Sequence, residues 1–182
     1  MNFEETYLSG SYVISPEIRG DNRGWFIRTY CKSEFAQIDH RKEWVQINHS
    51  YSATRGTLRG MHFQVHPHTE IKLLRCISGA IYDVIVDLRK DSKTYLNWFG
   101  IELNADNKKQ LYIPEGFAHG FQTLTQDVEL IYHHSEYFSK DSEGGLRYND
   151  PLLKIDWPLP VSEISDRDLQ HPLLDPLSPV KI

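Results

Sequence analysis

Polar and apolar positions along this chain alternate with period two far more often than with period 3.6. In Ile81-Tyr82-Asp83-Val84-Ile85-Val86-Asp87-Leu88, the residues Tyr82, Val84, Val86 and Leu88 fall on one face, and Asp83 and Asp87 on the other. That pattern predicts a half-buried strand. Comparable short runs occupy 70–77, 97–103, 110–113, 120–124 and 128–138. They are separated by turn-forming stretches such as Ser78-Gly79, Lys90-Asp91-Ser92, Asn104-Ala105-Asp106-Asn107 and Pro114-Glu115-Gly116. Many short strands at this spacing predict a β-sandwich or barrel. Helical pattern is scarce. It is confined to 33–38, with Ser33 as the expected N-cap, and to one turn near 165–169. Six of the nine prolines follow residue 150, so an extended C-terminal segment packed across the barrel is expected.

Composition narrows the function classes. With 182 residues the chain suits one domain, taken as 1–182. It carries 20 Lys and Arg against 25 Asp and Glu and has no basic tract, which argues against nucleic acid and anionic membranes as partners. No apolar run approaches the roughly 20 residues of a membrane span. The acidic start, Met1-Asn2-Phe3-Glu4-Glu5, is unlike a signal peptide. Cys31 and Cys76 are too few for a disulfide framework or a thiolate zinc site, so both are expected to be reduced and buried in a cytoplasmic protein.

Three stretches set polar groups among apolar ones: 58–64 (LRGMHFQ), 113–121 (IPEGFAHGF) and 129–138 (ELIYHHSEYF). A small barrel fills its interior with side chains or holds one ligand there, and histidine or tyrosine inside it needs a hydrogen-bond partner. Singly, His62 and His119 read as satisfied core histidines and Tyr132 as a core tyrosine. His133 and His134 have opposite parities, so one faces inward and the other solvent. His66 and His68, flanking Pro67, are expected on the surface. Pro114-x-Gly116-x-x-His119 is similar to half of the cupin metal pattern. The other half fails: His62-Phe63-Gln64 has glutamine in place of the second histidine, and in His66-Pro67-His68-Thr69-Glu70 the glutamate follows too closely. No metal is therefore expected.

Taken together, the motifs resemble the dTDP-4-dehydrorhamnose 3,5-epimerase family, cupin-fold enzymes of deoxysugar biosynthesis. The matching residues run nearly end to end. They include Gly20-Asp21-Asn22-Arg23-Gly24-Trp25-Phe26, Gln46-Ile47-Asn48-His49-Ser50, 58–64, Lys72-Leu73-Leu74-Arg75, 110–121, Asn149-Asp150-Pro151, Ile155-Asp156-Trp157-Pro158 and Ile164-Ser165-Asp166-Arg167-Asp168. The resemblance implies an all-β cupin jelly roll, a nucleotide-sugar substrate, no cofactor and a homodimer completed by an exchanged strand. It also implies roles. His62 matches the base, Asp168 its carboxylate partner, Tyr132 the general acid and Lys72 the cation beside the substrate's keto oxygen. Arg59 and His119 match substrate contacts; Arg23, Gln46, Asn48, Glu143 and Arg167 match positions lining the nucleotide-sugar site. Phe138 stands where a tyrosine often stacks on the base. The sequence departs from the family at Arg28, usually glutamate, at His133, usually lysine, and in the loop 65–69.

The implied chemistry suits these residue types. A ketone at C4 acidifies the hydrogens at C3 and C5, and inverting either centre needs a base on one face and an acid on the other. Histidine, with an unperturbed pKa near 6.5, serves as such a base, and a carboxylate on its second nitrogen fixes its tautomer. Two structural expectations follow. The tail must fold back to bring Asp168 to His62, and strand β-parity must break near Gly60 if Arg59 and His62 are to share a site.

Overall fold

The computed structural model describes residues 1–175, 178, 180 and 182. Among these, strands β1 (Asn2–Glu5), β2 (Tyr12–Ser15), β10 (Gln110–Ile113), β7 (Lys72–Ser78), β12 (Val128–His134) and β5 (Gln46–Ser52) form one sheet, in the order β1-β2-β10-β7-β12-β5. A second sheet runs β13-β6-β11-β8-β9, from β13 (Glu143–Gly145), β6 (Leu58–Gln64), β11 (Phe117–Thr123), β8 (Ala80–Asp87) and β9 (Trp98–Asn104). The pairings between these strands are antiparallel. A separate hairpin, β3 (Arg19–Asp21) with β4 (Gly24–Phe26), stands apart from both. The two facing sheets make the expected jelly roll. No helix among the described residues is long and apolar enough to cross a membrane.

The main core lies between the sheets and includes Leu74, Cys76, Ile81, Ile85, Leu111, Phe121 and Leu130, with Tyr132 packed at its margin. Burial pushes the Cys76 thiol up to about 11, so it behaves as a small apolar group. Cys31, expected inside, is only half-buried. The outer face of β8 is covered as well: Val84, Val86 and Leu88 join Met61, Phe63 and Leu146 under the C-terminal tail. That covering corrects the half-buried strand predicted from alternation. Asp83 and Asp87 are both fully buried, and each needs partners to stay charged.

Asp87 finds them in the turn that follows. Its carboxylate accepts bonds from the Arg89 backbone N–H (3.0 Å), Arg89 Nε and Nη2 (2.8 Å each), Ser92 Oγ (2.6 Å) and Thr94 Oγ1 (2.7 Å). Burial opposes the charge, but these donors outweigh it and hold the pKa at about 2. Because the folded pKa is depressed, the stabilisation is complete above the unfolded value near 3.8 and is lost as pH falls through about 2. Asp87→Asn is expected to lower unfolding free energy by about 2–3 kcal/mol at pH 7, the difference shrinking towards pH 2. Urea denaturation at both pH values measures this; an equal loss at both would contradict it.

Helix is minor. Helix α1 (Lys32–Phe35) is capped by Cys31 without a side-chain bond, so Ser33 is not its N-cap, and a 3-10 turn (Ala36–Ile38) follows. Helix α2 (Asp166–Leu169) forms where expected, with Ser165 Oγ accepting from the Asp168 N–H. Before α2 the tail is tied to the barrel by a parallel bridge between Thr57 and Glu163 and by Leu58 N–H donating to Glu163 O (2.8 Å). Of the tail prolines, Pro176 and Pro179 lie outside the described residues.

Candidate active site

The site begins with a break in β6. Opposite β11, His62 pairs with His119 and Arg59 with Phe121, so three steps on β6 face two on β11. Gly60 sits at this bulge with φ +120°, and an added Cβ would lie 2.6 Å from Gly120 Cα and 2.8 Å from His119 O. Only glycine permits that approach. The bulge puts Arg59 and His62 on one cavity of about 730 Å³, as the parity mismatch required. Lys72, His119, Tyr132, Asn48, Arg167 and Asp168 line it with them.

His62 Nε2–H donates to Asp168 Oδ1 at 2.7 Å, while Asp168 Oδ2 accepts from the Gly60 N–H at 3.1 Å. Burial works against the Asp168 charge, yet the bonds from His62 and Gly60 hold its carboxyl below the ordinary range. An ionised Asp168 fixes the proton on Nε2 and leaves the other ring nitrogen with its lone pair. The tail has thus folded back across 106 residues to complete the pair.

Tyr132 shares a hydrogen bond with Ser50 Oγ at 3.0 Å. Burial drives its pKa well above that of free tyrosine, opposed by the Ser50 bond and by Arg59, so the phenol holds its proton at neutral pH. Lys72 is buried and faces Glu70 Oε1 at 3.2 Å. Arg59 Nε donates to Ser52 Oγ (3.1 Å) and Nη2 to Tyr51 O (3.2 Å). His119 Nε2 donates to both oxygens of the buried Asp83 (3.0 and 3.1 Å). Burial pushes the Asp83 carboxyl up, with His119 pulling the other way.

A smaller hollow adjoins this cavity, lined by Gln46, Asn48, Phe138, Glu143, Glu70 and His134. Its polar groups form one chain of bonds. The Phe138 N–H donates to Gln46 Oε1 (3.2 Å), Gln46 Nε2 to Asn48 Oδ1 (3.3 Å), Asn48 Nδ2 to His134 Nε2 (3.3 Å) and His134 Nδ1 to Glu70 Oε2 (2.6 Å). Each link fixes an amide orientation or a tautomer for the next. Arg167 closes on Glu143 at the rim.

Arg23 stands apart. It lies on the β3–β4 hairpin, bonded to Asp21, with its side chain 84% exposed and away from both hollows. Arg28, on the same side of the molecule, pairs with Glu34 at 2.7 Å. His66 is exposed and His68 only half-buried. His133 is not solvated as expected. It packs its ring against Trp44 on the outer face of the sheet, while His134 takes the inward position. Glu70, Ser50, Asp83 and His134 line or brace the site without being assigned a role by the motifs that predict it. For His134 the signal was available: it is two residues beyond Tyr132 on one strand and shares its face.

The residues fit no cupin metal. Gln64, in the place of a second histidine, has its amide engaged with His68 O, Tyr137 O and the Ser139 N–H, and His119 is held by Asp83.

Comparison with known proteins agrees with this geometry. Residues 5–176 match the family model described as dTDP-4-dehydrorhamnose 3,5-epimerase. The Salmonella typhimurium protein of that name is 43% identical over 173 residues, covering 94% of each chain. A crystal structure of the Bacillus anthracis enzyme with TDP and PPi bound superposes with a TM-score of 0.92 at 44% identity, covering 95% of this chain and 99% of that one. The dTDP-6-deoxy-D-glucose-3,5-epimerase of Legionella pneumophila, in complex with dTDP-4-keto-L-rhamnose, gives 0.91 at 36% identity, covering 97% and 94%. Such similarity over almost the whole chain, on the same jelly roll, establishes that this protein belongs to the dTDP-4-dehydrorhamnose 3,5-epimerase family.

Proposed function

We propose that this chain inverts C3 and C5 of dTDP-4-dehydro-6-deoxyglucose, acting as one unit over residues 1–182 in the cytoplasm. The observation that carries this reading is the convergence of the His62–Asp168 pair, Lys72 and a protonated Tyr132 on one cavity. His62 removes the proton alpha to the C4 ketone, and the C–H electrons pass into a C=C bond as the carbonyl oxygen becomes an enolate. Lys72 stabilises that oxygen, whose charge grows in the transition state. Asp168 stabilises the imidazolium. Tyr132 then delivers its proton to the carbon from the other face, and solvent restores both groups. His119 and Arg59 hold the sugar and the diphosphate. Among the described residues, Arg59 alone of the cavity's Lys and Arg side chains has no carboxylate within salt-bridge distance, which suits it to an anionic ligand. Gln46, Asn48, Phe138, Glu143 and Arg167 line the nucleotide end, where Phe138 keeps an exposed ring for stacking.

The same reading makes the enzyme a homodimer. Trp25 and Phe26 on the free hairpin and Ile47 and Tyr51 on edge strand β5 expose large apolar surface. A partner covering these groups would bring Arg23 towards its own cavity.

Incubation with dTDP-4-dehydro-6-deoxyglucose in deuterated water, followed by NMR, is expected to place deuterium at both C3 and C5. Deuterium at C3 alone would replace this reading by a single-centre epimerase, and no exchange by folded protein would refute it.

A further inference from the structure

Two imidazoles approach Asp168. Besides His62, His171 in the turn after α2 sets Nε2 3.5 Å from Asp168 Oδ1, and its ring centroid is 5.8 Å from that of His62. The side chain is only 12% exposed, and its Nε2 is buried without a hydrogen-bond partner among the described residues. Leaving a buried ring nitrogen unbonded is costly, so its place calls for an explanation.

The fold makes room for this ring at one position. Gly145 on β13 lies directly opposite His62 on β6. Any Cβ at 145 would overlap the His171 imidazole. The missing side chain is the slot that lets a second histidine stand beside the first. Arg147 Nε donates to His171 O at 2.7 Å and fixes the backbone there. Arg167, on α2, is turned towards Glu143.

One donor atom from each of His62, Asp168 and His171 lies within 4.8 Å of the other two. Tetrahedral zinc, with bonds of about 2.0–2.2 Å to nitrogen and oxygen, separates its donors by roughly 3.3–3.5 Å. The observed Asp168 contacts of 2.7 Å and 3.5 Å bracket that spacing. Two imidazoles and one carboxylate select borderline first-row ions over magnesium or calcium. We propose that His62, Asp168 and His171 form an inhibitory site for Zn2+ and related divalent ions. Binding replaces the proton on His62 Nε2, which leaves to solvent, and nothing is oxidised or reduced. The ion then holds both members of the pair that moves the substrate proton. The inhibition, though not the binding, rests on the function proposed above for His62 and Asp168.

The test uses zinc chloride against deuterium exchange, and cobalt chloride as a visible-absorption probe that needs no turnover. His171→Phe fills the slot with a ring that lacks a donor nitrogen, and His171→Gln is the second variant in case the first folds poorly. Wild-type protein is expected to lose activity with zinc and regain it with EDTA, and to give the visible band of four- or five-coordinate cobalt. The variants are expected to keep their activity without zinc, to need at least about tenfold more zinc for half-inhibition, and to lose the cobalt band. They also control for zinc captured by the diphosphate substrate. Equal zinc sensitivity in wild type and variants, or a cobalt band unchanged by His171→Phe, would overturn the site. A His171-dependent cobalt band in a protein without epimerase activity would keep the site and refute the function instead.

Discussion

Substituting His62 by asparagine is expected to abolish exchange at both C3 and C5, with a fall in turnover of about 10²–10⁴. Asparagine keeps a polar side chain of similar reach but has no basic nitrogen. The fold should survive, because His62 is only part-buried and belongs to none of the three apolar clusters. Loss at both carbons is the informative outcome. One base serves two centres on the same side of the ketone's plane, so a variant that still exchanged either hydrogen at the wild-type rate would assign that proton to another group. Stopped incubations in deuterated water, read by NMR at each position, resolve the two.

Tyr132→Phe separates removing a proton from returning it. The base, its carboxylate and Lys72 remain, so abstraction continues; what is lost is the acid on the opposite face. Deuterium is then expected to enter substrate whose configuration is retained, while inverted product falls by about 10²–10⁴. The ring itself packs against the main core, so the substitution preserves its buried area and removes only the hydroxyl and its bond to Ser50. Undiminished inversion would show that the proton comes from elsewhere. Equal loss of exchange and inversion would give Tyr132 a part in abstraction.

Period-two alternation was enough to read a β barrel from the sequence, and it placed the strands around 110–113 and 128–134 within a few residues. It could not show that a strand is covered twice. Asp83 and Asp87 looked like a solvent face because alternation takes the apolar side as the inner one; here the tail covers Val84, Val86 and Leu88, and the aspartates share the face of Ile81 and Ile85 towards the main core. Strand parity also located the bulge at Gly60, since Arg59 and His62 cannot share a face on a regular strand. The helical turn expected near 165–169 forms, capped by Ser165, whereas Ser33 is not the cap expected of it, because the chain enters that helix two residues earlier through Cys31. The site residues came from motif resemblance, and the structure gathers all but Arg23 around two adjoining hollows. Glu70 and Ser50 carry no local signal, because their partners His134 and Tyr132 lie 64 and 82 residues away.

The 106-residue span between His62 and Asp168 also orders events during folding. A pairing such as that of β8 with β9 closes a short loop and forms early at small entropic cost. The proposed catalytic pair instead waits for the tail to lie down along β6, the same step that covers Met61, Phe63, Val84 and Val86. Competence is therefore acquired late and in one increment. Until α2 docks, His62 lacks the carboxylate that fixes its tautomer, so the cavity takes shape before its proposed base is complete.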